Sequence, residues 1–292
     1  MTKKIAVVLL NLGGPDKSES VQPFLFNLFN DKAIICAPQP IRWLIAKLIS
    51  TRRAPVAQGI YGHLGGKSPL LELTQAQADA LETRLNGSNA STVDAEERGQ
   101  QAEPLVGEAV SSPAQLQESK ETEIIQTAKD NSPQQGKTNT TFKTFLAMRY
   151  WHPMSPEAVA QVKEWGADEV ILLPLYPQFS TTTTGSSFEV WAKEAKAQGL
   201  KAPTARIGCY PFQKDFIASH AKLIEETYQK AAKHGTPRIL FSAHGLPQKI
   251  VDGGDPYEWQ VRQGAEAIIE KLSVGSDDEN EANRPSEPSA AH

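Results

Sequence analysis

The chain has 292 residues, 39% apolar and 22% charged, with 20 glycines, 20 prolines and a formal net charge of −4. That length carries one large domain or two modest ones around a real hydrophobic core, and the composition excludes collagen, a continuous coiled coil and a disulfide-stapled miniprotein. No apolar run approaches the roughly 18–20 uninterrupted residues of a membrane-spanning helix, which excludes an integral membrane protein.

The opening MTKK leads straight into IAVVLLNLGGP. That apolar stretch is too short for a secretory signal and lacks the Arg- and Ser-rich character of a transit peptide. Two cysteines, Cys36 and Cys209, form no disulfide framework and fit a reducing compartment, so a cytoplasmic protein is expected. Residues 5–12 are a continuous apolar run closed by Gly13-Gly14-Pro15, the pattern of a buried strand ending in a tight turn. Residues 142–150 and 169–176 are two more such runs, the second closed by Pro177. Residues 238–243 are a fourth, closed by His244-Gly245.

Helical patterns lie between them. Ser155 is expected to cap a helix opening with Pro156 and ending near Gly166. A helix starting near Asp215 lines up Phe216, Ile217, Leu223, Ile224 and Tyr228 and closes at Gly235. Asp255-Pro256-Tyr257-Glu258 resembles a capping box and starts a helix to about Leu272. Strand–helix alternation predicts an α/β fold, a parallel sheet with helices on both faces.

Charge is spread unevenly. Residues 86–141 hold 9 acidic and 4 basic side chains and no Phe, Trp or Tyr. Such a segment buries too little apolar surface to offset its ordering entropy, so it reads as a disordered insertion, with 114–129 as the one stretch able to form a short helix. Residues 273–292 carry 5 acids and 1 base and read as a disordered acidic tail. The remaining 216 residues are left with a net charge of +5, compatible with an anionic small substrate and not calling for nucleic acid.

In open parallel sheets ligands bind beyond the carboxyl ends of the strands. The expected strands stop at Asn11, at Arg149-Tyr150-Trp151-His152, at Tyr176-Pro177 and at Ser242-Ala243-His244-Gly245. An arginine, several aromatics and a histidine on one rim suit a flat, anionic, aromatic ligand worked on by a base. Each alone has a plainer reading, since strand-end aromatics often only pack and Arg149 can cap a helix. Among the six histidines, His292 lies in the tail and His220 and His234 on a helix, while His63 and His152 stay open. His244 stands apart because the glycine after it forces a turn that leaves the imidazole at a sheet rim, where it can accept a proton or meet a metal. The hydroxyl-rich run 180–187 either cradles an anion or is an ordinary helix N-terminus. There is no dinucleotide fingerprint, phosphate loop, CxxC pair or HExxH motif, so a tightly bound structural zinc is not expected.

The motifs LNLGGP (10–15), MRYWHP (148–153), LYPQFSTTTTGSS (175–187), LFSAHGLP (240–247) and GDPY (254–257) together resemble ferrochelatase, the enzyme family that inserts ferrous iron into a porphyrin at the end of haem synthesis. RRAPVAQGIYGHLGGKSPL (52–70) fits the same family. The resemblance covers about 1–85 and 142–272. It implies two Rossmann-like lobes with parallel sheets and the porphyrin between them: 1–85 with 142–178 as the first lobe, 86–141 as the insertion, 179–272 as a partial second lobe and 273–292 as the tail.

It also implies His244 as the residue that accepts pyrrole protons and contacts the metal. Arg53, Tyr61, Ser68, Arg149 and Tyr150 become porphyrin contacts, and the apolar stretch 24–49, with Trp43 and Leu44, becomes a cleft-mouth lip in peripheral contact with a membrane. Iron and porphyrin are then substrates, with no tightly bound cofactor. The chemistry agrees: metallation removes two ring protons and puckers a flat macrocycle, which needs a base, cations for the propionates and only weak metal ligation.

Two departures stand out. The 86–141 connection is much longer than the family's, a change tolerated in a surface loop. The family also continues past a helix like 256–272 with further strands and a motif of the type SEHxETLxELD, whose glutamate works with the histidine. No counterpart is found, so the second lobe is expected to be incomplete with open sheet edges. A truncated, non-catalytic tetrapyrrole-binding remnant and a related chelatase for another metal are the alternatives.

Overall fold

β1 (Lys3–Asn11) lies between two parallel neighbours in a computed structural model of the chain, which describes residues 2–88 and 140–282. β2 (Thr140–Met148) flanks it on one side; β3 (Glu169–Pro174) and then β4 (Thr204–Arg206) follow on the other, giving the order β2-β1-β3-β4. Leu9 stands opposite Leu146 of β2 and Leu173 of β3.

Successive β1 side chains point to opposite faces, and both faces are covered. Ala6, Val8 and Leu10 pack with Ala158, Val159 and Val162 of α4 (Ser155–Trp165) and with Phe188 and Trp191 of α5 (Ser186–Ala197). Val7 and Leu9 pack with Ala78, Leu81 and Leu85 of α3 (Leu70–Ser88). Burial on both sides is why this strand reads as an unbroken apolar run.

The outer edge of β2 is closed by side chains of α3. Asn86 exchanges two 3.0 Å hydrogen bonds with the Phe142 backbone, as a neighbouring strand would, and the Glu82 carboxylate accepts from the Thr144 N–H at 2.7 Å and its hydroxyl at 2.8 Å. These contacts satisfy backbone groups that would otherwise template pairing with another chain.

α1 (Val21–Phe29) and α2 (Gln39–Gly62) form a helical pair before α3. α4 starts one residue earlier than expected: Ser155 is its first, buried residue and the cap position falls to Met154, whose N–H is taken by the Glu157 carboxylate. Gly166 ends α4 with φ 73°, as its position predicts.

The sheet and its core extend past residue 178. Phe188 and Trp191 belong to its core and β4 pairs with β3, so residues through 206 complete this sheet. β4 is only three residues long and largely exposed, too little for an apolar pattern.

α6 (Lys214–Ala232), α7 (Gln248–Asp252) and α8 (Tyr257–Ala282) follow. α6 packs on α8, burying Ile217, Ala221 and Ile268. Residues 238–243, expected as a strand, form none: a strand exists only against a neighbour, and none among the described residues pairs with this run. After β4 the described residues contribute helices and no further strand. α8 runs ten residues beyond Leu272, so 273–282 are helical where a disordered tail was expected. Residues 86–88 likewise belong to α3 and 140–141 to β2. The rest of the acidic insertion, including 114–129, and residues 283–292 lie outside the described residues.

Candidate functional site

The carboxyl ends of β1, β2 and β3 meet at one rim. Arg149 N–H donates to Asn11 O at 2.8 Å and Tyr150 N–H to Leu12 O at 3.0 Å, so the pairing of β2 with β1 continues into the MRYWHP segment. Leu175 N–H bonds Leu10 O at 2.8 Å on the other side. The glycines allow this close approach. Gly13 has φ +82°, and a β-carbon on it would come 3.0 Å from Trp151 N; one on Gly14 would come 2.5 Å from Ser68 Cβ. Ser68 is thereby at the rim, its N–H bonded to Pro15 O at 2.8 Å.

Two segments converge on one carboxylate from a third. Asp31, in the loop between α1 and α2, accepts on Oδ2 from Arg149 Nη2 at 2.6 Å, Tyr150 Oη at 2.7 Å and Ser186 Oγ at 3.4 Å. Arg149 Nε donates to Ser186 Oγ at 3.0 Å, and its guanidinium sits 5.0 Å from the Tyr150 ring centroid. The pair is largely dry, with side-chain exposures of 17% for Arg149 and 8% for Asp31. Burial, then the adjacent Asp31 charge, pushes the Tyr150 phenol far above its ordinary pKa, so it remains a hydrogen-bond donor. Nearby Tyr176 is raised too, by burial, and its hydroxyl is buried without a hydrogen-bond partner among the described residues.

The hydroxyl-rich run does cradle an anion, and the anion is the chain's own. Asp255 Oδ2 accepts from Thr181 N–H at 2.7 Å, Thr181 Oγ1 at 2.7 Å and Ser180 Oγ at 3.0 Å, while Oδ1 takes Tyr257 N–H at 3.1 Å. Burial pushes this carboxyl up, but the bonds from Thr181, Tyr257 and Ser180 together hold it below the ordinary aspartate value. Gln260 adds a second tie, accepting from Phe179 N–H at 2.7 Å. The GDPY motif thus anchors the loop leading into α5. Glu258, read as part of a capping box, pairs instead with Arg262.

His244 is exposed, in a concavity shared with Leu246, Val251, Tyr257, Glu258 and Arg262. Its Nδ1 lies 3.0 Å from Gly245 O, a contact in which the ring N–H donates. Arg53 is exposed on α2 and has no salt bridge among the described residues. Tyr61, near the end of α2, is half-buried and its phenol is raised by desolvation.

Arg149 and Tyr150 are thus joined directly and Ser68 shares their rim. No hydrogen bond or ion pair among the described residues ties Arg53, Tyr61 or His244 to them. Of the open histidines, His152 pairs with Glu157 at 2.8 Å and His63 is exposed; His220, on its helix as expected, bonds back to Phe216 O within α6. Asp31 escaped the sequence reading because its partners lie over a hundred positions away; Ser186 was visible only as one of eight hydroxyl-run residues.

The lip stretch 24–49 exposes Ile34, Ile41, Trp43, Leu44 and Leu48. Among the described residues no helix is long and apolar enough to cross a membrane, and no cluster of three or more His, Cys, Asp or Glu side chains could hold a metal ion.

The family model "Ferrochelatase" matches residues 4–128 and 111–282. Proteins named ferrochelatase from Hyphomonas neptunium and from the Wolbachia of Brugia malayi are each 45% identical to the chain over 274 residues, 93% of its length; that from Caulobacter vibrioides is 43% identical over 272 residues, also 93%. The chain spans 62%, 73% and 64% of those three proteins, respectively.

Proposed function

Since the chain belongs to the ferrochelatase family, we propose that it inserts ferrous iron into a porphyrin, protoporphyrin IX or coproporphyrin III, to form haem. The observation that carries this reading is the family match running from residue 4 to residue 282, across the sheet rim and the His244 segment alike. Iron and porphyrin are both substrates, and no tightly bound cofactor takes part.

The porphyrin lies over the carboxyl rim of the sheet. Arg53, Tyr61 and Ser68 contact it from the α2 side, Arg149 and Tyr150 from the end of β2. His244 Nε2 offers the incoming metal a single nitrogen, which suits delivery better than a strong multi-ligand site would; once the metal has passed to the ring, the freed lone pair takes a pyrrole proton and passes it to solvent before taking the second. The exposed apolar side chains of the lip rest against the cytoplasmic face of a membrane, from which a greasy porphyrin arrives.

The exposure of His244, and its lack of a tie to Arg149, favour one second reading: a chain that binds tetrapyrrole without turning it over. Anaerobic metal insertion followed through the visible spectrum, beside His244→Ala, separates them. Turnover in the wild-type chain, reduced at least about a hundredfold in the variant, supports the enzyme. Porphyrin bound by both proteins with no turnover in either supports the binding reading and defeats the first.

A further inference from the structure

Three donors from two different segments, Arg149 Nη2, Tyr150 Oη and Ser186 Oγ, all aim at one carboxylate oxygen. A guanidinium flanked by two hydroxyls is a receptor for carboxylate ligands in general, because charge-assisted bonds to a carboxylate are the strongest it can form there. The occupant, Asp31, comes from the lip. Its loop is tied within the lip by Arg42, whose Nε and Nη1 donate to Asn30 O at 2.9 Å and Ala37 O at 2.8 Å, and by the Ala33 N–H on Asp31 Oδ1 at 2.9 Å. Among the described residues, the hydrogen bonds from the lip to the rim are those of Asp31 itself and one from Asn27 Nδ2 to Tyr150 O at 3.1 Å.

We infer that Asp31 is an internal pseudo-ligand: it fills a carboxylate-binding site made by Arg149, Tyr150 and Ser186, latches the lip to the rim, and is exchanged for a carboxylate of the incoming ligand. This rests on the porphyrin-binding reading above and deepens it, since the porphyrins proposed carry propionate groups. Removing Asp31 leaves a buried guanidinium without its anion, and the site then takes any carboxylate that reaches it. A ligand carboxylate no longer has to displace a tethered competitor held at high local concentration.

Asp31→Asn in the full chain tests this with two probes. The first is a porphyrin dicarboxylic acid beside its dimethyl ester, with affinities read by fluorescence quenching. The variant is expected to bind the di-acid at least fivefold more tightly than wild type and the ester equally. A di-acid affinity that is unchanged or weaker, or an ester affinity that moves in parallel, overturns the latch.

The second probe needs no porphyrin: thermal midpoints in sodium acetate against sodium chloride at matched ionic strength. Acetate is expected to raise the midpoint of Asp31→Asn above its chloride value and to leave wild type unmoved. Equal midpoints of the variant in the two salts overturn the proposal. Should the variant fail to fold in chloride, recovery of its native near-UV spectrum in acetate is the same readout, and no recovery is the negative result. If neither protein binds any porphyrin, the functional reading fails while the acetate comparison still decides the latch.

Discussion

The first sheet and the segment that carries His244 are written in similar language and fold to opposite ends. Residues 5–10 and 238–243 are both short apolar-rich runs ended by glycine-containing turns, yet Leu9 is 1% exposed and Leu240 83%. The difference lies in neighbours. β1 has a strand on each side and helices over both faces, so its N–H and C=O groups and its side chains are satisfied together. The 238–243 run meets no strand among the described residues, and apolar character alone cannot supply backbone partners.

The sharpest test of that comparison is truncation of matching side chains. Leu9→Ala removes a side chain enclosed between β2, β3 and α3 and is expected to cost about 2–5 kcal/mol. Leu240→Ala gives up almost no burial and is expected to stay within about 0.5 kcal/mol of wild type. Urea titrations of the two variants measure this; comparable losses would mean that the second run is packed in solution.

Gly14→Ala strikes the junction at the sheet rim. The new β-carbon would stand 2.5 Å from Ser68 Cβ, and Ser68 cannot retreat freely because its N–H is bonded to Pro15 O. Overpacking of this kind costs about 1–3 kcal/mol. Gly59→Ala, where nothing stands within 4 Å of the new atom, is the control expected to lose nothing. Thermal midpoints of the pair measure the difference.

Much of this was legible in the sequence, and the parts that were not have identifiable reasons. β1 announces itself because a strand buried on both faces must be continuously apolar, and β2 and β3 through the apolar runs of their carboxyl halves, FLAM and ILLP. β4 does not, since three largely exposed residues carry no pattern. The motifs singled out Arg149, Tyr150 and Ser68, and the structure brings these three to one rim. Asp31 and the role of Asp255 were not, because a carboxylate's partner is fixed by tertiary approach and leaves no local periodicity. The hydroxyl run could be read as an anion cradle or as a cap, and it is both: Ser180 Oγ accepts from the Thr182 N–H, while Ser180 and Thr181 hold Asp255.

That contact also links the two regions, and pH reads its strength. The Asp255 carboxyl is held below its ordinary value by the Thr181, Tyr257 and Ser180 bonds, which outweigh the opposing effect of burial. A depressed folded-state value means that the charged form stabilises the fold above the unfolded pKa of about 3.9, and that this contribution is lost as pH falls through the lower folded value. Wild type is therefore expected to exceed Asp255→Asn by about 1–3 kcal/mol at pH 7, with the gap narrowing once the pH drops below about 4. Other carboxylates titrate in both proteins, so the difference between the two urea curves, measured from pH 7 to pH 3, isolates this one. A gap that stays constant over that range would mean that Asp255 holds the α5 loop through shape and not through charge.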